Sequence, residues 1–360
     1  MARLLIHRYA LPLRRPWHTA RGLMTRRQGF IVVLEQAGDL GIGDCAPLPM
    51  AGTESLQQAR ARLQYWQGRL QSGRWDSDRL LAALSDGWPS TAPAADAAVE
   101  TAALDLAARR RVLPLRGLLT EQPRDQVQVN AVLGPLMSLS AEALYPSVAA
   151  GWRCLKIKVG IAPIDDEIAR LRTLTARMPP GVRYRLDANG AWSGADAERV
   201  IAAMADLPID ALEEPLNRPR DAELASLQAA ATFPLALDES LAGRWPIDPG
   251  QLPVRRLVLK PGVVGGLRPT LALARAASAA GRQVVLTSLI ESAVGLWATA
   301  QLAAALPERQ HHGLATANWL AHDLATAPNP VAGVLALPDE PGIGIDPTSL
   351  LAALQSGQRP

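Results

Sequence analysis

The chain has 360 residues, with 37 basic and 34 acidic side chains, a formal net charge of +3 and a pI near 9.1. Its arginines are scattered apart from short clusters such as Arg109, Arg110 and Arg111, and aromatic residues make up only 4%, so neither a basic stripe nor a base-stacking platform for nucleic acid is expected. No run of about 18 apolar residues occurs, and MARLLIHRYALPLRRPW breaks its apolar residues with arginine and proline too often for a secretory core, so no membrane partner and a cytosolic location are expected.

One barrel of about 250 residues leaves about 100 for a second domain. LLIHRYAL, GFIVVLEQ and GIGDCAPLP, within residues 1 to about 50, read as a short antiparallel meander. Residues 16–29 between the first two read as an exposed loop, either one that covers a site or an ordinary hairpin connection, and His18 within it as a surface histidine. Cys45 and Cys154 match no metal spacing and receive no role. From Glu54 to about Leu119 the pattern turns helical: Leu56, Leu63, Trp66 and Leu70 share a face, and an alanine-rich segment begins at Pro93 and ends in arginines, as the helix dipole favours. Helices on those strands predict an α+β cap over 1–121, joined by the C-terminal segment 328–360.

Over 122–327 short apolar runs end in polar residues at a regular spacing. QVQVNAVL reads as a strand, and CLKIKVG puts Lys156 and Lys158 on one side of the next, with Leu155, Ile157 and Val159 on the other. From Lys158 the steps are 29 residues to Asp187, 26 to Glu213, 25 to Asp238, 22 to Lys260 and 28 to Ser288. Each fits a strand and a helix, which predicts an α/β fold of the modified TIM-barrel type, (β/α)7β, with strand ends gathered at one face. HHGLATANWL offers a last short strand, with His311 and His312 at its start, away from that face, as structural residues.

The chemistry is concentrated at those ends. Only three of the basic residues are lysines, Lys156, Lys158 and Lys260, and lysine, unlike arginine, can be tuned to give up its proton. Lys156 and Lys158 side by side are expected to lower each other's pKa. Asp187, Glu213 and Asp238 supply three hard oxygen ligands suited to Mg²⁺ with a small carboxylate substrate. Arg185 and Asn189, in phase with Asp187, join Lys156 and the strand-end residues Ser288 and Glu291 as candidate substrate contacts. Mg²⁺ on a substrate carboxylate and a lysine beside the α carbon together suit α-proton abstraction.

The ordered motifs KIK, LDAN, EEP, LDES, LKP and TSLIES resemble the enolase superfamily in its muconate-lactonizing branch, over nearly the whole chain. The resemblance implies Lys158 and Lys260 as the acid/base pair, and Asp187, Glu213 (rather than Glu214) and Asp238 as Mg²⁺ ligands, with Lys156 in support. Within the branch, TSLIES followed by AVGL, and HGLATANWLAHDL at 312–324, most resemble the o-succinylbenzoate synthases. These dehydrate 2-succinyl-6-hydroxy-2,4-cyclohexadiene-1-carboxylate in menaquinone biosynthesis. Gly22 to Met24 would then touch the succinyl arm. N-succinylamino acid racemases share nearly all these residues and remain the alternative, whereas the Asp-x-Asp that dipeptide epimerases carry on the eighth strand is replaced by LATANW. A non-catalytic binding barrel is the reading from a different class, and the full set of lysines and carboxylates argues against it.

Overall fold

The computed structural model describes residues 2–19, 22–73, 75–307 and 310–356. The first three strands, β1 (Ala2–Thr19), β2 (Gly22–Gln36) and β3 (Asp39–Cys45), form an antiparallel sheet in which β1 and β2 pair from Ala2↔Gln36 out to Thr19↔Gly22. Residues 16–19 and 22–29 therefore lie in the outer part of a two-stranded ribbon, the hairpin of the two alternatives. Cross-strand hydrogen bonds are regained beyond the break between Pro12 and Trp17, so polar composition did not prevent pairing. Residues 20–21 and the His18 side chain lie outside the described residues.

Helices α1 (Leu56–Ser72) and α3 (Pro93–Arg110) pack on this sheet, α2 (Ser77–Asp86) packs on α3, and the short α4 (Leu115–Leu119) follows. The predicted face of α1 is buried at Leu63, Trp66 and Leu70, and Ser55 closes its N-terminus in a capping box with Gln58. Residues 93–108 of α3 are buried all round, which alanine permits because it adds little bulk between backbones. Glycine completes the fit: a Cβ at Gly41 or Gly43 of β3 would lie 2.1 Å from the carbonyl oxygens of Ala102 and Ala98. Gly43→Ala is expected to destabilise by about 1–3 kcal/mol through overpacking. Gly68→Ala in α1, where nothing lies within 4 Å, should be neutral or stabilising in the same thermal-unfolding comparison.

The rest of the chain builds a curled parallel sheet. β4 (Gln126–Gln128) stands outside it. β5 (Ala131–Pro135), β6 (Cys154–Lys158), β7 (Arg183–Asp187), β8 (Ile209–Glu213), β9 (Leu235–Leu237), β10 (Arg256–Leu259) and β11 (Gln283–Leu286) are neighbours in chain order. Helices α5 (Ala141–Ala149), α6 (Ile164–Ala176), α7 (Gly194–Ala203) and α8 (Asp221–Ala230) follow β5 to β8, α9 (Pro261–Val264) and α10 (Leu267–Ala279) follow β10, and α11 (Ala293–Ala304) follows β11. The spacing overstates one unit: between β9 and β10 the described chain makes only 3-10 turns, at Glu239–Leu241 and Pro249–Gln251.

Residues 312–313 close the sheet by two isolated parallel bridges, Val129↔His312 and Thr287↔Gly313, in place of a regular last strand. His312 is buried there, its Nδ1 accepts from the Leu286 amide at 3.1 Å, and burial pushes its pKa down to about 3. The chain then returns across the barrel. β12 (Val334–Ala336) pairs antiparallel with β4, and α12 (Pro347–Ser356) follows. Between them the Ile343 amide donates to Asp105 of α3 at 2.7 Å and the Leu115 amide donates to the Gly342 carbonyl at 2.7 Å, tying the C-terminal segment to the helices of the N-terminal part. No helix among the described residues is long and apolar enough to cross a membrane.

Candidate active site

Strand register alone sets three of the predicted residues in one row: Lys158 of β6 pairs with Asp187 of β7, which pairs with Glu213 of β8. Asp238 and Lys260 follow directly on the ends of β9 and β10. A cavity of about 900 Å³ opens above these ends, and Lys156, Lys158, Asp187, Asp238 and Lys260 line it together with Asn189 and Ser288. Leu155, Ile157 and Val159 are buried on the opposite side of β6. That burial directs both lysines of KIK into the barrel mouth.

The carboxylates are tied to ammonium groups. Lys156 Nζ contacts Asp187 Oδ2 at 2.9 Å and also Glu213 Oε2, and Lys260 Nζ lies 2.6 Å from Asp238 Oδ1. Burial alone would lower the Lys156 pKa, but the charges of Asp187, Glu213 and Asp238 hold it above the usual lysine value. The expected mutual lowering of Lys156 and Lys158 is thus overturned for Lys156, because its neighbours in space are carboxylates. Lys260 is likewise held above its usual range: burial would lower it, but Asp238 and Glu239 together outweigh that. Lys158 is exposed to the cavity and, alone of the three lysines, makes no ion pair among the described residues.

Among the described residues no three carboxylate, imidazole or thiol groups already have the spacing of a metal site. The donor set nevertheless fits a hard divalent cation. Burial raises the Glu213 carboxyl, and Asp187 and Asp238 add to that rise against the pull of Lys156 and Arg185. Beside them, Glu239 is pushed up to about 8, first by the Asp238 charge and then by burial. Carboxylate oxygens from the ends of three consecutive strands are gathered there.

Sequence reasoning did not anticipate the work of Glu214. Its Oε1 accepts from the Asp238 amide at 2.6 Å and the Ser240 amide at 3.0 Å, and its Oε2 accepts from Ser240 Oγ at 2.6 Å. With φ at +44°, Glu214 turns out of strand phase and clasps the LDES turn, which leaves Glu213 to face the barrel interior. Its only trace in the sequence is the Pro215 that ends the strand.

Two of the expected substrate contacts do not reach the cavity. Arg185 shares the inward side of β7 with Asp187, but two residues earlier means about 6–7 Å deeper. There it is 1% exposed and donates to Asp210 Oδ2 at 2.9 Å, Asn130 Oδ1 at 3.0 Å and the His311 carbonyl at 2.8 Å. Glu291 is buried against the N-terminal part, where its Oε2 accepts from the Leu289 amide at 2.7 Å and burial raises its pKa to about 7. Ser288 does line the cavity, its hydroxyl 2.5 Å from Thr316 Oγ1, and Asn189 lines it with its backbone N–H donating to Asp187 Oδ1 at 3.1 Å. From the N-terminal part the cavity receives Met50; Leu23 and Met24, expected at the substrate, do not line it.

Residues 139–350 match the family described as enolase C-terminal domain-like, which is more than half of the chain. The chain belongs to the enolase superfamily. Residues 1–102 of this superfamily enzyme match the MenC N-terminal domain. It is 33% identical to the o-succinylbenzoate synthase of Thermosynechococcus vestitus over 251 residues, covering 67% of this chain and 71% of that one. With the o-succinylbenzoate synthase of Vibrio cholerae serotype O1 the identity is 28% over 353 residues, 94% and 97% of the two chains. The hydrophobic dipeptide epimerase of Roseobacter litoralis is similar at a comparable level, 29% over 306 residues, 83% and 86%. Among solved structures, the dipeptide epimerase of Enterococcus faecalis V583 complexed with Mg and L-Leu-L-Tyr superimposes with a TM-score of 0.84 at 25% identity, covering 96% of this chain and 99% of that one.

Proposed function

We propose that this superfamily enzyme dehydrates 2-succinyl-6-hydroxy-2,4-cyclohexadiene-1-carboxylate to o-succinylbenzoate, a step of menaquinone biosynthesis. The observation that carries the choice is the segment closing the barrel. Gly313, Thr316 and Trp319 line the cavity from it, and none offers a carboxylate to neutralise the ammonium of a dipeptide. The two synthases and the MenC N-terminal match support the same choice over the epimerase relative. Residues 1–121 with 328–360 act as the cap in this reading, and 122–327 as the barrel.

Asp187, Glu213 and Asp238 would hold Mg²⁺, and Lys156, in contact with both Asp187 and Glu213, would keep those carboxylates oriented. When bound, Mg²⁺ supplies the charge that makes a proton α to a carboxylate acidic enough to remove. Lys158 takes that proton from the ring carbon and returns a proton to the departing hydroxyl on the same face, a syn elimination served by one amine. The Lys260 ammonium, held protonated beside Asp238, stabilises the electron-rich enediolate from the other side of the cavity. Asn189 and Ser288 lie within the cavity wall as polar contacts for substrate.

That Lys158 and Lys260 both line the cavity also admits two-base racemisation of N-succinylamino acids. Lys260→Arg separates the two. Arginine keeps the charge and cannot exchange a proton. The variant is expected to retain measurable dehydration while losing racemisation; complete loss of dehydration, with fold and Mg²⁺ affinity kept, would require Lys260 to move a proton.

A further inference from the structure

Non-glycine residues with left-handed backbone are few among the described residues, and four of the seven, Asn189, Glu214, Arg218 and Ile290, line the cavity above the strand ends. Such conformations cost energy and persist where the surrounding structure enforces them. For Asn189 and Glu214 the reason is visible in their hydrogen bonds, Asn189 to Asp187 within the LDAN turn and Glu214 to the LDES turn. Arg218, at φ +50°, makes no hydrogen bond or ion pair among the described residues, although it is a charged side chain on the cavity wall.

Its loop is firmly seated. Leu216 is buried and bridges Trp192, the Trp192 amide donates to the Pro215 carbonyl at 3.2 Å, and Gly190 packs so closely that a Cβ there would lie 3.2 Å from the Leu216 carbonyl oxygen. The other cations of the cavity are committed. Lys156 and Lys260 face the carboxylates, Lys158 is the proposed base, and Arg244 donates to Asp221 Oδ1 at 2.6 Å. That leaves one guanidinium, on an anchored loop at the wall formed by Leu216 to Pro219, with no counter-charge of its own.

We infer that Arg218 is the specificity-determining residue for the second, distal carboxylate of the substrate, receiving the end of the succinyl arm while the ring carboxylate lies at the Asp187, Glu213 and Asp238 cluster. The inference rests on the dicarboxylate substrate proposed above. It assigns to the β8–α8 loop the selectivity for a diacid, since a guanidinium pairs a carboxylate bidentately and an uncharged arm would leave it unpaired.

Binding tests this without turnover. With Mg²⁺ present, o-succinylbenzoate and 2-butanoylbenzoate, in which a methyl replaces the distal carboxylate, are titrated calorimetrically into wild type, Arg218→Gln and Arg218→Lys. Wild type is expected to favour the diacid by about tenfold or more, the scale of one charge-assisted contact. Arg218→Gln should weaken the diacid and leave the monoacid unchanged, so that the preference collapses, and Arg218→Lys should restore part of it. Equal affinities of wild type for the two ligands, or a diacid preference retained in Arg218→Gln, would overturn the assignment. A wild type that prefers the diacid through Arg218 yet dehydrates no cyclohexadiene would instead sink the synthase reading alone.

Discussion

Lys158→Ala is expected to lower dehydration about 10²–10⁴-fold, the usual contribution of a positioned general base, while fold and Mg²⁺ affinity stay as in wild type. The structure gives the reason for each half of that expectation. Lys158 is exposed at the cavity end of β6, makes no ion pair among the described residues, and sits in register with Asp187. Removing its side chain takes nothing from the core, because Leu155, Ile157 and Val159 pack on the other side. Lys156 cannot substitute, being held protonated between Asp187 and Glu213. Single-turnover rates, circular dichroism and Mg²⁺ titration check the three parts together; a variant within tenfold of wild-type rate would take the proton transfer away from Lys158.

The second large effect is on stability. Beneath the active site, Asp210 lies 2.8 Å from Arg185 and 2.6 Å from Arg256, and all three are buried. Asp210→Asn would remove the carboxylate that both buried guanidinium groups share, leaving Arg256 without one among the described residues and Arg185 with only the longer 3.8 Å contact to Glu213 Oε1, a loss of about 3–5 kcal/mol by the measure of other broken buried pairs. The pH dependence has a definite sign. Burial by itself would raise the Asp210 pKa, but Arg185 and Arg256 overcome it and hold the carboxyl well below its usual range. A group depressed in the folded state contributes fully above its unfolded pKa of about 4 and loses that contribution as pH falls through the folded value. Urea unfolding should therefore show the full deficit of Asp210→Asn at neutral pH, narrowing only below about pH 4. A deficit under 1 kcal/mol at neutral pH would show that the network is not what fixes the barrel interior.

What the sequence made legible was the row of strand ends. Short apolar runs closed by a lysine or a carboxylate, at a spacing of one strand and one helix, were enough to bring Lys158, Asp187, Asp238 and Lys260 into one cavity. Depth within the barrel was not legible. Residues two apart on a strand share a side, so Arg185 and Asp187 look alike in sequence, yet one meets the interior network and the other the cavity. Nor could spacing reveal ion pairs between strands: Lys156 has Lys158 as its neighbour in the chain and Asp187 and Glu213 as its neighbours in space. The same blindness hid the Glu214 clasp, settled by a partner distant in the chain.

The central claim is the reaction itself. Purified protein with Mg²⁺ is given 2-succinyl-6-hydroxy-2,4-cyclohexadiene-1-carboxylate, and its ultraviolet absorbance is followed beside α-proton exchange on N-succinylamino acids in D₂O by NMR. Fast loss of the cyclohexadiene with slow exchange is the predicted result; fast exchange with little dehydration would contradict it and make the two lysines the acid and base of a racemase.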